Sequence, residues 1–179
     1  MTSTRYLVLA AGLLGLCGIA VGILTHGGSL AVHGDLLWRA HLDVVEKELE
    51  HGHVDVAVRV WHDAYGAALE SRSWESMIAV GDAFMAIGRA SGTLRGARMN
   101  AQQAYVTALI RARRDRSVDG ALRSADAFRE LDDRAIVEQC LHIAAQLAAG
   151  DEHAQQRVRE ARQRWEARQT VSGSDEGPS

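Results

Sequence analysis

A run of twenty residues without a charge, 6–25, constrains this chain more than any other feature. The run reads YLVLAAGLLGLCGIAVGILT. A helix of that length rises about 30 Å, which matches the hydrocarbon thickness of a bilayer. We therefore predict a transmembrane helix over 6–25, preceded by a short flank, 1–5, and followed by a linker, 26–34. The alternative is a cleaved signal peptide, whose apolar core is usually shorter, about 7–15 residues.

The residues in and around this segment indicate its orientation and its neighbours. Arg5 precedes the segment, and Arg39 is the only arginine or lysine between it and Lys47. Basic residues favour the cytoplasmic side of a membrane. We therefore predict a single-pass protein of the cell membrane with its N-terminus in the cytoplasm. Its helical domain then lies outside, in the periplasm if the cell is bacterial.

Small residues let membrane helices approach closely, which predicts packing against a transmembrane helix partner. The alternative is that glycine is simply common in membrane helices. The candidate packing residues are Gly15, Gly18 and Gly22.

The rest of the chain has the composition of uninterrupted helices. Proline, which breaks helices, occurs once, at Pro178. Apolar residues recur every three or four positions in seven segments, and short loops between them force neighbouring helices antiparallel. We therefore predict an all-α domain over 35–169 and a disordered polar tail, 170–179. The predicted helices are 35–50, 53–69, 73–90, 93–115, 117–131, 133–149 and 151–169. The expected N-terminal caps are Ser73, Thr93, Ser117 and Asp151, and Asp133 lies near the start of its helix.

One of these segments, 93–115, carries an apolar face made only of alanine. An all-alanine face is thin, so a neighbouring helix must pack very close to it. The residues of this alanine seam are Ala97, Ala101, Ala104, Ala108 and Ala112.

The predicted helices pair as three hairpins, 53–90, 93–131 and 133–169. The segment CLHIAAQLAAGDEHAQQRVREA resembles the tight turn and second helix of a tetratricopeptide repeat, and Ala121 lies 33 residues before Ala154, close to that family's period of about 34. The resemblance implies a solenoid of stacked hairpins that binds other proteins. The family's Trp…Leu-Gly…Tyr pattern and its closing proline are missing, so a helical bundle is the alternative fold.

No motif indicates catalysis or a bound cofactor. The eight histidines form neither His-Glu-x-x-His nor a Cys-x-x-Cys-His sequence. Cys140 and His142 lie two apart on a predicted helix and therefore point to different faces. Cys17 follows Leu16, where a lipidation site normally has a small residue. We expect no enzyme activity, no cofactor and no metal, and the formal charge of −3 predicts no nucleic-acid partner.

The most unusual charge pattern is basic. Residues 84–116 contain seven arginines and one acidic residue, Asp115. Part of this set falls opposite the alanine seam, which predicts a docking surface for an acidic protein partner or an anionic lipid headgroup. The alternative is an ordinary solvated helix face. The candidate partner-binding residues are Arg95, Arg98, Gln102 and Arg113.

These observations predict a membrane-anchored helical-repeat scaffold that mediates protein–protein interaction in an envelope or membrane complex. One alternative is an accessory subunit of a membrane enzyme complex, held by its transmembrane helix. A second alternative is a small enzyme without a recognisable motif.

Overall fold

The described part of the chain is built from helices alone. A computed structural model describes residues 36–172, which form seven helices and no strand. The all-α prediction is therefore confirmed for these residues. The helices are α1 (36–50), α2 (Val54–Ser71), α3 (Trp74–Ser91), α4 (Leu94–Arg114), α5 (Val118–Glu130), α6 (Arg134–Leu147) and α7 (Glu152–Ser172).

Several predictions concern residues outside this range. The span 6–25, its candidate packing residues Gly15, Gly18 and Gly22, and most of the tail lie outside the described residues. The last helix runs to Ser172, three residues beyond the predicted end at 169.

Within 36–172, no helix combines the length and the apolar character needed to cross a bilayer.

Side-chain caps explain where four of the helices begin. Ser73, Ser117, Asp133 and Asp151 each accept a hydrogen bond from the backbone N–H three residues ahead, at 3.0–3.2 Å. This bond satisfies one of the N–H groups left free in the first turn of a helix. The prediction for Thr93 is wrong, because its hydroxyl makes no cap bond and lies 2.6 Å from the hydroxyl of Ser91 instead.

Each junction between these helices has two to four residues and contains one residue with positive φ, which helps to reverse the chain. Glycine adopts this conformation without steric cost, and three junctions use it. The residues are Gly52 (φ 76°), Arg72 (58°), Gly92 (71°), Arg116 (54°), Asp132 (57°) and Gly150 (90°).

The hairpins recur at a constant spacing in their first helices. Helices α2, α4 and α6 begin at Val54, Leu94 and Arg134, which are 40 residues apart. The second helices are spaced unevenly, since α5 begins 44 residues after α3 and α7 begins 34 residues after α5. The 33-residue interval between Ala121 and Ala154 therefore relates only the last two second helices.

The alanine seam of α4 is buried, as predicted, and it permits an unusually close contact with α3 and α5. All five seam alanines are at most 3% exposed. Glycines lie opposite: a Cβ built on Gly88 would collide with the Cβ of Ala97, and one on Gly120 would lie 2.6 Å from the Cβ of Ala112. Glycine facing alanine brings the helix axes together, which confirms that this seam needs a close neighbour.

Helix α1 is held by a second apolar cluster at the N-terminal end of the domain. Val45 of α1 is fully buried in a cluster with Trp61 of α2 and Ile87 of α3. The indole N–H of Trp61 donates to the carbonyl of Val80 at 2.7 Å, and its ring packs against Phe84 with centroids 4.2 Å apart. This cluster fixes α1 on α2 and α3.

Candidate interaction surface

Helix α4 exposes a stripe of large apolar side chains on the side opposite its alanine seam. Met99 is 68% exposed, Val106 37% and Ile110 64%. Their spacings of seven and four residues place them on one face of a helix, with Gln103 between them. Single exposed apolar residues are common on protein surfaces, but an aligned set marks a candidate contact surface.

Two open troughs flank this stripe. The larger, of about 660 Å³, lies between α2 and α4, where Tyr65 faces Met99, Gln102 and Val106. The smaller, of about 170 Å³, lies between α4 and α6 and is lined by Ile110, Arg113, Ile136 and Ile143, among others. The stripe is therefore a ridge with a depression on each side, a shape that suits an apolar segment from another chain.

The predicted docking residues are all exposed on α4, but they do not line one common trough. Gln102 lines the larger trough and Arg113 the smaller one, whereas Arg95 and Arg98 line neither. The three arginines are exposed, and their side chains make no hydrogen bond or ion pair with any described residue. Helix α4 contains no Asp or Glu, so these charges are not neutralised from within their own helix. We call this surface, made of Arg95, Arg98, Met99, Gln102, Gln103, Val106, Ile110 and Arg113, the α4 face.

Two other arginines of the basic segment, Arg111 and Arg114, form bonds within the chain instead of facing a partner. The Arg111 side chain is buried and donates hydrogen bonds to the carbonyls of Ala68 at 2.9 Å, Leu69 at 3.1 Å and Ser73 at 2.8 Å. Desolvation, and then the nearby positive charge of Arg114, lower the pKa of Arg111 from its ordinary value. The predicted basic surface is therefore smaller than a count of arginines suggests.

Arg114 acts in the same region, but at the surface. It donates to the carbonyl of Arg72 at 2.9 Å and pairs with Asp115 at 2.7 Å. The hydrogen bond between Arg114 and Asp115 raises the pKa of Arg114 and lowers the pKa of Asp115. The positive charge of Arg114 is therefore largely compensated by Asp115.

A polar cluster that no sequence pattern indicated joins α3, α4 and α5. The carboxylate of Asp82 accepts a hydrogen bond from the Tyr105 hydroxyl at 2.7 Å and an ion-paired one from Arg123 at 2.6 Å. Burial raises the pKa of Asp82, although both bonds act in the opposite direction, and burial likewise raises the pKa of Tyr105. No short motif contains these residues, which lie 23 and 41 positions from Asp82.

The groups considered for nucleophilic chemistry are separated in space. Cys140 is fully buried, and burial raises the pKa of its thiol to about 12. His142 is exposed on the opposite side of α6. A thiol that is inaccessible and stays protonated is a poor nucleophile.

The clustered histidines bond locally. The ring Nδ1 of His51 lies 2.7 Å from the carbonyl of Lys47, and that of His53 lies 2.9 Å from the carboxylate of Glu48. Within the part of the chain that the structure describes, no three His, Cys, Asp or Glu side chains are placed to hold a metal ion together.

The apolar stripe of α4 could have been identified from the sequence. Met99, Val106 and Ile110 have the spacing of a helix face, and that face lies opposite an alanine seam. Apolar residues on two opposite sides of a helix indicate a candidate contact surface on the side that faces away from the core.

Comparison of the chain with protein-family models, with curated proteins and with solved structures finds no match in any of the three.

Proposed function

We propose that this protein is a membrane-anchored helical-repeat scaffold whose α4 face binds an acidic partner protein. The observation that carries the proposal is an exposed apolar stripe flanked by arginines without partners. Contact surfaces combine apolar and aromatic residues, Met and Arg in this way. The partner that fits is an acidic segment with its own apolar residues.

The packing of the hairpins supports a repeat over a bundle. Among helices α2 to α7, each contacts only its neighbours along the chain and the helices two positions away. In a closed bundle the first and last helices would meet. Contacts limited to near neighbours, together with first helices that begin 40 residues apart, are typical of stacked repeats, which leave an extended surface free for binding.

Neutralising the arginines of the α4 face tests the binding directly. We expect Arg95→Gln, Arg98→Gln and Arg113→Gln together to leave the free energy of unfolding nearly unchanged, because exposed charges contribute only about 0–1 kcal/mol per pair. Recovery of the partner in a detergent pull-down should fall, and wild-type recovery should weaken as salt rises, since exposed charges are screened beyond about 8–10 Å at physiological ionic strength.

A matched variant on another helix controls for loss of positive charge alone. Arg159, Arg164 and Arg168 are exposed on α7, and changing all three to Gln removes the same charge elsewhere. This control should retain the wild-type partners. If the α4 variant also retains every partner at normal yield, the docking proposal is wrong. A stoichiometric membrane enzyme among the recovered proteins would favour the accessory-subunit alternative.

The anchor is proposed from residues 6–25 and has its own test. The full chain should stay in the membrane fraction through a carbonate wash. Of two reporters fused after Ser179, the one that is active only outside the cytoplasm should show activity and the one that is active only in the cytoplasm should not. Sequencing of the mature N-terminus provides the opposing outcome: a start at Val21 or Val32 would show that a signal peptide had been removed.

A further inference from the structure

A third open trough lies on a different part of the domain, between α1 and α3. Its volume is about 580 Å³. Its walls are apolar, and its remaining lining residues are acidic. The apolar residues are Leu42, Val45, Leu49, Ala83 and Ala86, and the acidic residues are Glu46, Glu50 and Asp82.

The negative charge of this trough comes mainly from α1. Glu46 and Glu50 are exposed, and their side chains make no ion pair with any described residue. Asp82 is already engaged by Tyr105 and Arg123. Two unpaired carboxylates beside an apolar floor make a surface that suits a basic, apolar ridge.

The α4 face has the complementary shape and charge. It is a ridge where the trough is a depression, and it carries unpaired arginines where the trough carries unpaired glutamates. The stripe from Met99 to Ile110 is about 16 Å long and the α1 wall from Leu42 to Glu50 about 12 Å, at the ordinary rise of a helix. One chain therefore contains two surfaces of opposite charge, one raised and one recessed.

We propose that the α4 face of one copy binds the α1–α3 trough of a second copy. This inference rests on the proposed function, because it names the acidic partner of the same face as another molecule of this chain. The contact is heterologous: each copy offers two different surfaces, so association extends beyond a dimer or closes into a ring. Confinement of both copies to one membrane would raise the effective concentration of the two surfaces.

Charge reversal on each surface tests the proposal with the full-length protein in detergent. One variant carries Glu46→Arg and Glu50→Arg; the other carries Arg95→Glu, Arg98→Glu and Arg113→Glu. In either variant alone, like charges face each other across the contact, so self-association measured by sedimentation velocity should weaken about tenfold or more. Mixing the two variants places opposite charges across every contact again, and association should return.

Three outcomes would overturn the proposal: a wild-type chain that stays monomeric across the micromolar range, single variants that associate as well as wild type, or a mixture that stays monomeric. The second outcome would indicate association through another part of the chain. Thermal unfolding followed by circular dichroism shows whether each variant is folded, and restored association on mixing itself requires both to be folded.

The trough variant also separates this inference from the proposed function. It leaves the α4 face intact, so a different acidic partner should still be recovered with it. If self-association is unaffected by all these changes while the Arg-to-Gln variant of the α4 face loses a partner protein, the proposed function stands and the second copy is excluded as that partner.

Discussion

Replacing Arg111 with Met is expected to lower the free energy of unfolding by about 2–3 kcal/mol, because hydrogen bonds made by charged groups contribute about 1.5–3 kcal/mol. The Arg111 guanidinium binds three carbonyls at and just beyond the C-terminal end of α2. The carbonyls of Ala68 and Leu69, in the last turn of α2, carry the negative end of its dipole, which a cation stabilises. The carbonyl of Ala68 also accepts bonds from Ser71 and Ser76, so it keeps partners and the loss stays moderate.

Chemical denaturation of the full chain, followed by circular dichroism, measures this effect. Arg111→Lys keeps the charge but not the planar fork, so it should lose part of the stability. Arg114→Met is the matched control, since Arg114 is exposed and its loss should cost less than about 1 kcal/mol. Equal effects of Arg111→Met and Arg114→Met would mean that the carbonyl bonds of Arg111 do not stabilise the fold.

Replacing Ala104 with Leu is expected to destabilise the domain by about 1–3 kcal/mol, the usual cost of adding methylenes to a well-packed core. Ala104 is fully buried at the centre of the alanine seam. The helices on either side cannot make room without separating, because Gly88 and Gly120 bring their backbones against the neighbouring seam alanines Ala97 and Ala112. The measured change should therefore appear as a lower unfolding midpoint.

The same substitution at an exposed alanine provides the comparison. Ala145 lies on the exposed side of α6, and Ala145→Leu should change stability by no more than about 0.5 kcal/mol. An unchanged midpoint for Ala104→Leu would contradict the packing of α4 described above.

Much of the helical framework could be predicted because its signals are local. Apolar periodicity placed each of the helices α2 to α7 within three residues of its observed ends, and Ser73, Ser117 and Asp151 cap as predicted. Thr93 has the same position and a suitable hydroxyl, yet it bonds Ser91. Capping depends on a side-chain rotamer as well as on residue type, so position alone is not decisive.

The candidate surface was only partly predictable. The exposure of Arg95, Arg98, Gln102 and Arg113 follows from their place opposite the alanine seam. The troughs beside them could not be predicted, since each depends on how far α2 or α6 lies from α4. The α1–α3 trough depends in the same way on the gap between two helices that are not consecutive.

The residue pattern alone was enough to predict that the described chain is helical, where one helix ends and the next begins, and that α4 packs through its alanines. These features follow from periodicity and turn preference, which act over a few residues. The span 6–25 remains a prediction of the same kind. Tertiary structure decided which arginines are free. In the sequence Arg111 looks like Arg113, but folding carries it to a carbonyl of Ala68, 43 residues earlier, and leaves Arg113 at the surface. Such a contact depends on the relative placement of whole helices, which no local signal encodes.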